Sequence, residues 1–356
     1  MDLDLSPKLA QKSFSTEGGS YYAWSASELC MLKEAKVGAA KLVLEKNGFA
    51  LPSYSDSAKV AYVIQGKGRV GFVLPEATSE KVTNIKKGDA IAVPFGAVTW
   101  WFNDSEPELA ILFLGDTSKA HKLGEFTDFP ITGVGSTFNG FSTEFVSRAW
   151  DLKEEDVKKL LSSQTERKII RVNDGVLLPE ATSDSSGLAF NCEEATLDVD
   201  IKGGGKVVVL TGAQLPLLNE VGLGADLVRI EGVAMCSPGF SSDSAFQVTY
   251  ILRGSGRVQV VGVDGKRVLE IRVKAGFLFI VPRFFVVSKI ADGDGMDWFS
   301  IITTPQPVFS HLAGKTSVWK ALSPQVLQTA FNVSPDMEKL FRSKRTKDAI
   351  FFPPSN

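Results

Sequence analysis

Residues 62–73 read YVIQGKGRVGFV, and residues 250–261 read YILRGSGRVQVV, so six of twelve positions are identical at a separation of 188 residues. Each copy is an apolar run, then Gly-x-Gly, then a run alternating apolar with polar. That pattern predicts two β-strands joined by a tight hairpin, with Gly66, Gly68, Gly254 and Gly256 supplying positive φ. A duplicated unit in a chain of 356 residues also sets the domain count at two.

Working outward, strand-like runs separated by turn signals recur on both sides of each copy. In the first half they are AAKLVLEKNGFALPSY, KKGDAIAVPFGAVTWWF and ELAILFLGD; in the second, ADLVRIEGVAMCS, KRVLEIRVKAGFLFIVP and DWFSIITT. Short strands punctuated by Asn-Gly and Pro-x-Gly predict an all-β-dominated fold made of two sandwiches or barrels. Each is followed by helical sequence. In FSTEFVSRAWDLKEEDVKKLLSS, Ser142 is an N-cap, Phe145, Val146, Ala149 and Trp150 recur at helical spacing, and a second helix is expected from about 154 to 161. The closing ALSPQVLQTAFNVSPDMEKLFRSK matches it at an offset of 181, pairing Ser142 with Ser323 and Trp150 with Phe331, with Pro324 and Pro335 in first helical turns. The repeated unit is therefore a barrel plus a short helical arm. The expected divisions are an N-terminal arm at 1–20, a first barrel with its tail at 21–163, a linker at 164–203 and a second barrel with its tail at 204–356.

Two short helices bury little by themselves, so their apolar faces predict a closed homo-oligomer. The formal charge of −2 gives no electrostatic footprint for nucleic acid or an anionic membrane. No window approaches the ~18 apolar residues of a membrane span. The opening MDLDLSPKLAQKSF lacks the basic and apolar regions of a signal peptide, and Cys30, Cys192 and Cys236 are an odd count without Cys-x-x-Cys spacing. A cytoplasmic chain with reduced thiols is expected.

These motifs resemble the two-domain cupins of plant seeds, and in particular the legumin or 11S globulin type. The matching text is EGGSYYAW, NGFALPSYSD, YVIQGKGRVGFVLP, KKGDAIAVPFGAVTWWF and FNGFSTEFVSRAWDL in the first half. In the second half it is QLPLLNEVGLGADLVRIEGVAMCSPGF, YILRGSGRV, GFLFIVPRFFVVS and SHLAGKTSVWKALSPQVLQTAFNV. The resemblance implies two jelly-roll β-barrels whose helical arms join subunits into trimers, and a seed-storage, nutrient-reservoir class. Storage proteins of this type carry a signal peptide, an Asn-Gly cleavage site and an interdomain disulfide. Here the corresponding dipeptide is Ser186-Gly187, and the position expected to face Cys192 reads Glu76-Ala77. An uncleaved, thiol-reduced relative is expected.

Catalytic cupins resemble one another in a metal site built from His-x-His, a Glu and a third His. By that resemblance the positions fall on Ser53, Ser55, Lys59 and Thr99 in the first barrel. In the second they fall near Gly239 or Ser241, Asp243, Gln247 and Val287. Hydroxyls are poor ligands beside imidazole, and an ammonium repels a cation, so no metal, cofactor or catalytic residue is expected. The chain has two histidines, His121 and His311, expected to serve packing or interfaces near the helical tails. No Walker A, G-x-S-x-G, H-E-x-x-H or Rossmann fingerprint occurs, and Cys236 reads as a core thiol. Two alternatives to a non-enzymatic globulin remain at this level. One is a small-ligand binder with a cavity lined by Tyr62, Trp100 or Trp101, Asp243, Tyr250 and Arg253; the other is a residual enzyme using Asp243 and a cysteine.

Overall fold

A computed structural model describes residues 4–183, 187–347 and 350–354. The first barrel is a pair of antiparallel sheets. One orders Gln11–Thr16, Gly19–Ala23, Val37–Leu44, Leu109–Asp116, Ala58–Gln65, Asp89–Val93 and Ala189–Asn191. The other orders Asp128–Pro130, Gly48–Ser55, Val98–Phe102, Lys67–Val73 and Lys81–Lys86. Neighbours that are distant in sequence give the jelly-roll winding.

The strands Ala58–Gln65 and Leu109–Asp116 are apolar at nearly every position because both of their faces are covered. Successive side chains alternate between two cores. Ala61, Val63, Ile111 and Phe113 fill the first barrel, while Val60, Tyr62, Leu112 and Leu114 pack in the larger core shared with the second barrel. The second barrel uses longer strands, Gln247–Val261 and Val286–Ile302, which bend through both of its faces.

The repeated Gly-x-Gly differs from the expected hairpin. Ala58–Gln65 and Lys67–Val73 belong to different sheets, so the glycines mark a corner where the chain crosses between them. Only the first glycine of each pair is left-handed, Gly66 at φ 81° and Gly254 at φ 73°. The second is required for close approach: a Cβ on Gly68 would stand 2.2 Å from the Phe102 carbonyl oxygen, and one on Gly256 2.5 Å from that of Ile290. In the second barrel the pairing register shifts at this corner, as a bulge does.

The expected divisions need two corrections. Within residues 1–20, Gln11–Thr16 is a strand of the first sheet. Before it, Leu5 is buried in the shared core and Lys8 exchanges backbone hydrogen bonds of 2.9 Å with Leu278 of the second barrel. The segment 164–203 likewise contributes strands to both barrels. Ile169–Arg171 pairs with Gly48–Ser55, Ala189–Asn191 with Asp89–Val93, and Val199–Ile201 with Gly205–Leu210. Short extended runs that complete a sheet edge lack the length for a readable alternation.

The helical arms form where the caps place them. Ser142 Oγ accepts from the Phe145 N–H ahead of Thr143–Trp150, and Glu154–Ser163 follows. In the second arm Pro324–Phe331 and Pro335–Ser343 start on their prolines. Val146 and its counterpart Leu327 are buried, whereas Phe145, Trp150, Val326 and Phe331 remain exposed. Among the described residues no helix is long and apolar enough to cross a membrane.

Candidate functional site

The strands that line each barrel bring a lysine into its interior. In the first barrel Ser53 lies opposite Thr99, and Ser55 opposite Asp128, in register. All four, with Lys59, Trp101 and Lys168, surround a cavity of about 80 Å³. Lys59 is 7% exposed and places Nζ 2.8 Å from Asp128 Oδ1. Its ammonium also stands 4.4 Å from the centre of the Phe126 ring. Burial pushes the Asp128 carboxyl upward, but the Lys59 charge and hydrogen bond, with Lys168 beyond them, outweigh it and hold the group below its ordinary value. The interior thus carries its own fixed cation, neutralised by its own carboxylate.

The residues at the family's ligand positions do not fit a transition metal. Two serines, an ammonium and a threonine offer no imidazole, and Lys59 repels the ion the site would hold. In the second barrel Ser241 and Gln247 do line the cavity, but Gln247 Nε2 donates to Ser241 Oγ at 3.0 Å. Val287 is buried outside the cavity lining. Among the described residues no three His, Cys, Asp or Glu side chains gather as a metal set.

The second cavity, about 210 Å³, holds a different polar set: Asp226, Cys236, Lys289 and His311, against Trp298. Lys289 is 4% exposed, and its ammonium lies 4.4 Å over Trp298. Burial lowers the Lys289 pKa, with Cys236 and Asp226 pulling the other way. Burial raises that of Asp226 to about 6, against Lys289 and Ser300. The His311 ring is driven down to about 4 by burial and is neutral at physiological pH. Asp226 Oδ1 and His311 Nδ1 are buried without a hydrogen-bond partner among the described residues. A buried polar atom in that state costs about 1–3 kcal/mol.

The six residues expected to line one ligand cavity do not share one. Trp101 enters the first barrel, as the alternation of the Trp pair requires, and Trp100 points to the other face, where its Nε1–H donates to Glu80 at 2.8 Å. Tyr62 and Tyr250, equivalent in the repeat, both sit between the barrels. Tyr62 stacks on Phe299 at 4.3 Å, and Tyr250 meets Trp24 edge-on at 5.8 Å. Their phase in the strand faces the outer side of the sheet, which in each case the other domain covers. Arg253 is a surface residue paired with Asp297 at 2.8 Å. Asp243 braces a turn, accepting from the N–H groups of Ala245 and Val308.

The two histidines, expected to serve packing or interfaces, take different places, and Cys236, expected as a core thiol, lies with one of them. His311 lies on the short strand Phe309–His311 and lines the second cavity, whereas His121 is exposed beside Asp56 at 3.3 Å. Cys236 lines the same cavity; burial raises its thiol pKa, which leaves it a poor nucleophile. Asp128, Lys168, Asp226 and Lys289 were missed. Their only signal is a charged residue at the inward phase of an otherwise apolar strand, as Lys289 in VVSKIA and Asp226 in GADLV. Cys30, Cys192 and Cys236 are all free. Ser186 of the Ser186-Gly187 dipeptide lies outside the described residues.

Known proteins match both barrels. The cupin family model matches residues 6–158 and 190–339. The 11S globulin seed storage protein 2 of Sesamum indicum is 24% identical, over 95% of this chain and 88% of that protein. Among solved structures, the coconut allergen cocosin superposes with a TM-score of 0.91 at 26% identity, covering 98% of this chain and 99% of its own. The 11S globulin of Wrightia tinctoria, described with an auxin binding site, gives 0.89 at 26% identity, covering 100% and 98%. With both halves matched and both chains covered nearly end to end, the chain belongs to the cupin family, as a duplicated cupin of the 11S globulin type.

Proposed function

We propose that this chain is a reserve protein: a non-enzymatic storage globulin that assembles with copies of itself and stays one uncleaved, thiol-reduced polypeptide. The observation that carries the reading is the end-to-end likeness to a seed storage globulin, through both barrels and both arms. Self-association is supported by the arms. Phe141, Phe145 and Trp150 on one and Val326, Phe331 and Leu340 on the other are each about half exposed or more. A first arm laid against the second arm of the next copy closes a ring, and three copies is the assembly proposed.

A reducing compartment, the cytoplasm, is supported by the thiols. Cys192 is buried with the Phe190 carbonyl as its polar neighbour at 3.9 Å, and burial pushes its pKa up to about 12. Electrophoresis of the protein from its own tissue tests the reading as a whole. One band at 38.5 kDa is expected with and without reductant, abundant in the dormant stage and depleted as growth resumes. Two smaller chains released by reductant, or a constant trace level through mobilisation, would overturn it.

Ligand binding is the second reading, favoured by one observation in this chain: the unpartnered polar atoms of the second cavity. Auxin binding belongs to the Wrightia tinctoria globulin. The residues that matter here are those of the cavity itself.

A further inference from the structure

We propose that the second barrel binds, between Asp226, Lys289 and His311, a small neutral planar molecule with a hydroxyl or N–H donor at one end and a carbonyl acceptor at the other. The proposal stands apart from the reserve role and gives the second reading a ligand class.

Three groups define the polar requirement. Asp226 Oδ1 is buried and accepts nothing among the described residues, so it calls for a donor. Lys289 makes contact through the Trp298 and Phe279 ring faces at 4.4 and 5.8 Å and, among the described residues, has no carboxylate or carbonyl closed upon it, so its N–H groups call for an acceptor. His311 Nδ1, likewise unpartnered, adds one further hydrogen bond. The remaining wall is largely apolar, with Val228, Trp298, Ile302 and Phe309, which suits a flat ring.

Charge selects a neutral ligand. Asp226 and Lys289 are opposite in sign and share one enclosure, so an anion drawn to Lys289 meets the Asp226 carboxylate, and a cation drawn to Asp226 meets the ammonium. The first barrel is the internal contrast. There Lys59 and Asp128 close on each other at 2.8 Å and the space is about 80 Å³ against 210 Å³, so the pair is already satisfied and the room is smaller.

Titration calorimetry on the full chain at pH 7.5 tests this with 4-hydroxybenzamide, a neutral ring with a phenol donor and an amide carbonyl. Saturable binding of one molecule per chain is expected. 4-Hydroxybenzoate, the anion of the same size, should bind at least tenfold more weakly, as should the amide to Lys289→Met. Arg253→Ala, outside the cavity, should bind as the unaltered chain does. Ligand quenching of tryptophan emission should shrink in Trp298→Phe. The proposal is overturned by an absence of saturable heat with the folded chain, by equal or tighter binding of the benzoate, or by unchanged affinity in a folded Lys289→Met. The comparison of the two probes uses the unaltered chain, so it decides the matter even if a variant fails to fold.

Discussion

Lys59→Met is expected to destabilise the first barrel by about 3–5 kcal/mol, because it leaves Asp128 as a buried carboxylate without its counter-charge. Side-chain exposure is 8% for Lys59 and 23% for Asp128, so water compensates little of the loss. The double variant Lys59→Met, Asp128→Leu should recover most of it, since an apolar pair of similar volume removes both desolvation terms together. Denaturant titration of the three proteins measures the coupling. A Lys59→Met chain as stable as the unaltered one would show that the pair carries no such burden.

The same pair fixes a pH dependence. The Asp128 carboxyl is held below its unfolded value, so its contribution is fully present above the ordinary carboxylate range and is lost as pH falls through the lowered native value. In the double variant this acid-side component disappears.

Phe145→Asp, or separately Val326→Asp, is expected to convert a particle of three times 38.5 kDa into a 38.5 kDa monomer on light scattering, with the barrel fold unchanged by circular dichroism. Phe145 is 66% exposed and Val326 48% exposed within the chain. Covering an apolar side chain of this size contributes about 1.5–3 kcal/mol, and a carboxylate in its place must be desolvated instead. In a head-to-tail ring each contact uses one arm of each kind, so either substitution breaks every contact. Leu177→Asp, at a still more exposed residue outside the arm helices, serves as the control and should leave the mass unchanged. An unaltered chain that runs as a monomer, or arm variants that keep the full mass, would contradict the assembly.

Much of the architecture was legible because periodicity reports burial. The repeat, the strand spacing and the Ser and Ser-Pro caps led to two barrels with helical arms, and the helices begin where the caps stand. The Trp100-Trp101 alternation correctly divided one indole inward and one outward. What periodicity does not report is what lies beyond a sheet. Tyr62 and Tyr250 were read as facing a cavity, whereas their phase faces the other domain. The corner glycines were read as a hairpin because a turn within one sheet and a crossing between two begin with the same left-handed glycine.

The polar interior was harder still. Lys59 emerged from the spacing of a degenerate motif, but its partner Asp128 lies 69 residues further on, in a three-residue strand that carries no pattern of its own. Lys289 lies two residues beyond the motif position Val287 on the same strand, and Asp226 on a strand outside the motif, so the internal lysines of the two barrels stand at different positions. Duplication conserved the frame of the barrels and left their contents to diverge.

The central claim is that both interiors have exchanged metal ligands for fixed charges and hydrogen-bonded hydroxyl and amide groups. Plasma mass spectrometry of the chain purified without a histidine tag tests it most directly. The account predicts iron, manganese, zinc and copper each far below one equivalent per chain, with no gain after incubation with the free ions and desalting. One equivalent of any of these metals, retained by the unaltered chain and lost on substitution of a cavity residue, would contradict it.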